Sequence, residues 1–135
     1  MRSFFVAVLL SFALPCWAEV DVASFYDVTT EGTTTKLKAG ETGKVIIDIK
    51  VKNGAHVSDE APLKIELSSK QSTLSKDKLT LADAVKDSPT PRFEVPFTPT
   101  AHGNTTVEAK MTFFICTEKQ CARQTKQLSL PVEVM

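Results

Sequence analysis

The segment TTVEAKMTFFICTEKQCARQTKQLSLPVEV, residues 105–134, decides the fold of this chain. On both sides of its TEKQ loop, apolar residues alternate with polar ones, which is the pattern of half-buried β-strands. If Cys116 lies opposite Cys121, apolar positions of the two strands face each other and polar positions do the same. A slip of one residue would set core positions against solvent positions, so the pattern predicts this register for an antiparallel hairpin.

The same alternation recurs upstream of the hairpin, with turn residues such as Asn53-Gly54 between the runs. Within the run Phe93–Phe97, Pro96 favours an edge position, because proline has no N–H to give to a sheet. The pattern predicts strands over residues 43–52, 63–67, 74–81 and 93–97, one or two short strands within 20–38, and a loop over 82–91.

No segment of useful length has the helical period. About seven short strands separated by turns indicate an all-β protein, an immunoglobulin-like antiparallel β-sandwich. Trp17 lies in the predicted leader, so the core must be built without tryptophan. We expect it to contain Phe93, Phe97 and Phe113.

The amino terminus has the layout of a secretory signal peptide. A positive charge at Arg2, an apolar run over residues 4–14 and a break at Pro15 precede Ala18, after which cleavage is expected. We therefore predict a signal peptide at residues 1–18 and a single domain at 19–135, exported to the periplasm, with no membrane anchor after cleavage. Lipid attachment at Cys16 is the alternative.

Charge and cysteine content narrow the function further. The chain has 16 basic and 16 acidic residues and no net charge, which argues against a nucleic-acid partner and against electrostatic binding to anionic lipid. Of its 3 cysteines, Cys16 falls in the leader. The remaining pair, Cys116 and Cys121, is expected to form a disulfide in an oxidising compartment.

The predicted bridge lies on the outward, polar face of the hairpin. Opposed residues of antiparallel strands have Cα atoms about 4.5 to 5.5 Å apart, a distance that a disulfide accepts. A ring of about six residues adds only about 2 kcal/mol, against about 4.7 for a 100-residue loop. The pair is therefore either a redox-exchanging site that another protein's thiolate reaches, with Cys116 and Cys121 as the reacting residues, or a local clamp on the hairpin.

Two further residues share the outward face with the cysteines. Phe114 is expected opposite Arg123, where an exposed aromatic side chain would dock a partner, shield the disulfide, or simply stack under the guanidinium. We expect no cofactor and no metal, because Met111 points inward in this register and the two histidines, His56 and His102, lie beside turn glycines.

Three stretches together resemble the amino-terminal periplasmic domain of the DsbD thiol:disulfide interchange proteins. They are residues 50–57 (KVKNGAHV), residues 62–67 (PLKIEL), and the cysteine hairpin from Phe114 to Val132. The similarity covers about residues 43–134, and its specific part is the cysteine hairpin. It implies an immunoglobulin-like fold whose cysteine pair relays electrons between partners, either a thioredoxin-like periplasmic protein or a membrane thiol reductase. The alternative function is a non-catalytic secreted binding module with a structural disulfide.

Overall fold

A computed structural model describes residues 22–135 of the chain. The predicted signal peptide and Cys16 lie outside the described residues. Within this range no helix is long and apolar enough to cross a membrane. Two short 3-10 turns, Val22–Phe25 and Leu81–Asp83, accompany ten strands: β1 Tyr26–Thr29, β2 Lys36–Leu37, β3 Gly43–Val51, β4 His56–Val57, β5 Lys64–Ser68, β6 Ser72–Leu74, β7 Lys78–Leu79, β8 Arg92–Pro99, β9 Gly103–Cys116 and β10 Cys121–Val134.

The strands form two sheets, which confirms the predicted all-β sandwich. The first sheet has the order β1-β3-β8-β6, and the second has the order β2-β10-β9-β5-β7, with β4 also paired to β9. All pairs are antiparallel except β2 with β10. Ten strands replace the expected seven because β2, β4 and β7 have only two residues each, too few to show a period in the sequence.

The β9–β10 hairpin has the predicted register. Cys121 is paired with Cys116, and every pair from there to Val134 with Gly103 follows without a bulge. Apolar positions such as Val107 and Leu130 oppose each other, as expected.

The core lies between the two sheets. Phe93 and Phe97 enter it from β8, and Phe113 enters it from β9, so the three predicted core aromatics are confirmed. Met111 also points inward and is fully buried. These side chains pack with the aliphatic residues of β3 and β5 into one continuous cluster.

Two predictions about strands were wrong. Residues 74–81 do not form one strand, because the chain crosses between the sheets there: β6 pairs with β8, whereas β7 pairs with β5. The strand that contains Pro96 is not at an edge either, since β8 lies between β3 and β6. The Pro96 carbonyl accepts a hydrogen bond from the Ser75 N–H at 3.1 Å, so the side of proline that lacks a donor faces the end of the three-residue β6.

The outer face of β3 is more covered than its alternating pattern indicates. Ile46 and Asp48 point away from the core, yet they are only 7% and 8% exposed. The Ile46 N–H donates to the Thr33 hydroxyl at 2.9 Å, and the Thr90 hydroxyl donates to Asp48 Oδ1 at 2.7 Å. Connecting segments therefore cover this face, which a local pattern does not reveal.

The neighbours Phe113 and Phe114 provide a test of the hairpin register. Phe113 is fully buried, whereas Phe114 is half-buried on the outer face. We expect Phe113→Ala to lower the free energy of unfolding by about 3–5 kcal/mol in urea denaturation, because it leaves a cavity in the core. Phe114→Ala is the matched control and is expected to cost about 1 kcal/mol; equal losses would contradict the register.

Candidate functional site

The disulfide closes the end of the β9–β10 ladder. Cys116 and Cys121 are joined with their Cα atoms 4.0 Å apart, somewhat closer than the expected range. The Thr117 N–H donates to the Gln120 carbonyl at 2.8 Å, so the cysteines occupy the next, non-hydrogen-bonded position. Opposed residues lie closest at such positions, which is why this pair reaches bonding distance without a bulge.

The loop that carries the bridge is held by its own first residue. The Thr117 hydroxyl accepts the N–H groups of Lys119 and Gln120, both at 3.3 Å. Such local side-chain bonds stabilise a tight turn without help from the rest of the fold.

The two cysteines differ in their surroundings, although both were predicted to lie on the outward, polar face of the hairpin. Cys116 is only 4% exposed, whereas Cys121 is exposed. The difference arises from β4, because His56 pairs with Cys116 and places a further strand beside it. The Ser58 N–H continues this contact by donating to the Phe114 carbonyl at 2.9 Å. Among the described residues, no strand pairs with Cys121 on its other side.

Phe114 and Arg123 oppose each other directly, as predicted. They lie two positions from the cysteines on the same outer face, where Phe114 is half-buried and Arg123 is exposed. Within residues 22–135 the cation–π contact that the structure records is a different one, between Lys126 and Tyr26. The structure therefore leaves Phe114 and Arg123 as neighbours of the bridge rather than as a stacked pair.

A shallow groove runs along this outer face beside the bridge. Its cations outnumber its single carboxylate, Glu66, which accepts from Lys64 at 2.7 Å. This hydrogen bond and the nearby lysines hold the pKa of Glu66 below its usual range. The groove is lined by Pro62, Lys64, Glu66, Lys110, Thr112, Phe114, Arg123 and Thr125.

The inner face of the hairpin is anchored by Tyr26, a contact that the alternating pattern of the sequence does not reveal. The Tyr26 and Phe113 rings form a T-shaped pair with centroids 5.2 Å apart, and the Tyr26 hydroxyl donates to Gln124 Oε1 at 3.0 Å. Lys126 Nζ lies 5.7 Å from the centroid of the same ring. Tyr26 thereby ties the first sheet to β10, close to the disulfide. The sequence signal that could have indicated this contact is that Tyr26 is the only tyrosine of the chain and lies next to Phe25.

The histidines lie apart from each other. His56 is exposed beside Cys116 on β4, and His102 Nδ1 is 2.9 Å from the Met135 carbonyl oxygen. Within residues 22–135, no group of three or more histidine, cysteine or acidic residues is placed to hold a metal ion.

No family model matches the chain, and no curated protein matches it. Among solved structures, it is similar to the solution structure of a lipoprotein from Bacteroides thetaiotaomicron, with 18% identity and a TM-score of 0.49 over 80% of this chain and 78% of that one.

The unequal cover of the two cysteines predicts unequal thiol reactivity. Cys116→Ser leaves the exposed Cys121 thiol free, and Cys121→Ser leaves the covered Cys116 thiol free. We expect iodoacetamide to alkylate the first variant on the order of tenfold faster, because a buried thiol reacts only after local opening. Equal rates in the folded proteins would contradict the asymmetry, and equal rates in urea serve as the control.

Proposed function

We propose that this protein is an exported thiol:disulfide exchange module in which Cys121 receives the incoming thiolate. The observation that carries the proposal is the pairing of one exposed cysteine with one covered cysteine in a short bridge at the end of a hairpin. An exchange site needs a sulfur that a protein thiol can reach and a second sulfur that stays in place to complete the cycle.

The reaction is a two-electron exchange. A partner thiolate attacks Cys121 Sγ, the bond between Cys121 and Cys116 breaks, and Cys116 leaves as a thiolate. The partner's second thiolate then attacks the partner's own sulfur in this mixed disulfide and releases Cys121. The module ends as a dithiol and the partner as a disulfide, and every step is reversible.

The energetics of the bridge support exchange over simple stabilisation. The cysteines are only five positions apart in sequence. Closing so short a ring contributes about 2 kcal/mol, because it removes little entropy from the unfolded chain. A bridge that serves stability alone gains more by joining distant strands.

The similarity of residues 43–134 to the amino-terminal domain of the DsbD family supports the same proposal. It adds the class of partner, a thioredoxin-like periplasmic protein or a membrane thiol reductase, and the periplasm as the location. The leader-like segment at residues 1–18 agrees with export. In this setting Phe114 and Arg123 serve as the contact surface beside the bridge or as its shield.

A second candidate is a non-catalytic binding module with a structural bridge. The cover over Cys116 and the hydrogen bonds of Thr117 within the loop favour it, since both are what a clamp on a hairpin needs. It requires that the double variant Cys116→Ser, Cys121→Ser keeps partner binding and loses only about 2 kcal/mol of stability.

Trapping of mixed disulfides tests the exchange proposal directly. The Cys116→Ser variant keeps the reachable Cys121 thiol and lacks the sulfur that would displace a partner from it, so we expect its thiolate to attack the disulfide of an oxidised thioredoxin-like partner and to accumulate the mixed disulfide. Non-reducing gels and mass spectrometry of the adduct measure this. The matched Cys121→Ser variant is expected to trap little, and equal trapping by both would contradict attack at Cys121.

The reduction potential separates exchange from a clamp. We expect equilibration with glutathione to give a value above about −300 mV, since structural bridges of secreted proteins lie below that potential. A value far below it, together with wild-type partner binding by the double serine variant, would favour the binding module.

A further inference from the structure

Within residues 22–135, no strand pairs with the outer edge of β10 next to Cys121. On one side β10 pairs with β9 along its whole length, and on the other side β2 covers only Glu133 and Val134. Hydrogen-bonded and non-hydrogen-bonded pairs alternate along an antiparallel ladder. The bond between Thr117 and Gln120 therefore determines which later pairs of β9 and β10 are hydrogen-bonded to each other. In this arrangement the N–H and C=O groups that point away from β9 belong to Cys121, Arg123, Thr125, Gln127 and Ser129.

This edge has a defined beginning and end. Along the series of residues whose N–H and C=O groups point away from β9, the Arg123 carbonyl accepts a hydrogen bond from Gln124 Nε2 at 2.9 Å. The next residue of the series after Ser129 is Pro131, which has no N–H, and after it the Glu133 N–H donates to the Thr35 carbonyl at 2.8 Å. Among the described residues, residues 121–129 are thus the part of β10 that no other strand covers, and an added strand would displace the Gln124 side chain from the Arg123 carbonyl.

The direction of the disulfide makes this edge the side from which a thiolate can attack Cys121. A thiolate attacks one sulfur from the side opposite the sulfur that leaves. The bridge joins directly opposed residues of β9 and β10, so it runs across the strands. Beyond Cys116 on this line lies β4, paired through His56, whereas beyond Cys121 lies the free edge. A strand added to that edge would bring its own sulfur into line with Cys121 and Cys116.

We propose that the thiol partner docks by adding an extended, acidic segment to the free edge of β10, with its cysteine opposite Cys121. The inference rests on the proposed function and specifies how the partner is held. Strand addition supplies backbone hydrogen bonds along the edge and lets alternate side chains set specificity. The partner is acidic because residues 121–131 include Arg123 and Lys126 and no carboxylate. The same two cations disfavour pairing with a second copy of this chain.

The geometry assigns a particular side chain to the partner. In an antiparallel arrangement, the residue two positions before the partner cysteine lies opposite Arg123 on the same face. A glutamate there forms a cross-strand charge pair. Backbone N–H groups two and four positions before the cysteine point to β10, and those one and three positions before it point away.

Synthetic peptides test the docking mode with the wild-type chain. The probe is a short β-prone peptide with a cysteine near its carboxyl end and a glutamate two residues before it. We expect N-methylation two and four positions before the cysteine to slow opening of the bridge about fivefold or more. N-methylation one and three positions before the cysteine is the matched control and is expected to change the rate of bridge opening little. If N-methylation two and four positions before it also leaves the rate unchanged, docking does not use this edge.

A protein variant gives an independent measurement. Thr125→Pro removes an outward N–H without breaking the β9 ladder, and Thr125→Ala changes the side chain alone. We expect Thr125→Pro to react about fivefold more slowly with the peptide than Thr125→Ala, while both react equally with glutathione, which needs no strand pairing. Equal peptide rates with normal glutathione reactivity would overturn strand addition and leave exchange standing. A wild-type bridge that neither thiol opens would overturn the exchange proposal itself.

Discussion

The pairing of β9 with β10 is the constraint on which the rest of the structure depends. It aligns 14 residues of each strand without a bulge, and β9 also pairs with β5 and β4 on its other side. Because side chains alternate between faces, this one register sends Phe113 to the core and Phe114 to the surface. It also places the two sulfurs opposite each other. A slip by one residue would reverse all of these assignments together.

Most of this constraint was predictable because it is local and repetitive. Residues 105–134 contain enough alternating positions on both strands for the apolar and polar pairings to select a single register. The core aromatics and the inward position of Met111 followed from the same alternation. Where a run was shorter or less regular, the sequence was less informative. Residues 74–81 looked like one strand, because nothing local marks the point at which the chain leaves one sheet for the other.

The cover over Cys116 was not predictable for a related reason. It comes from β4, a two-residue strand that has no period to detect and that reaches β9 from a distant part of the sequence. Tyr26 reaches the hairpin in the same nonlocal way from β1. The hairpin pattern alone makes the two cysteines equivalent, and only the neighbours supplied by the tertiary fold make them different. The asymmetry of the candidate site is thus a property of the assembled sandwich.

The position of the bridge also bears on how an exchange cycle is compatible with a stable fold. The cysteines stand at one end of the ladder, beyond which only the loop held by Thr117 remains. None of the rest of the ladder, the contact with Tyr26 and the pairing of His56 with Cys116 depends on the S–S bond itself. In the proposed exchange, these contacts would keep the two thiols adjacent, so that the bridge could close again without refolding. A bridge between distant strands would add more stability, but its opening would release a longer part of the chain. The small contribution of this short ring to stability would let both redox states of the proposed exchange share one structure.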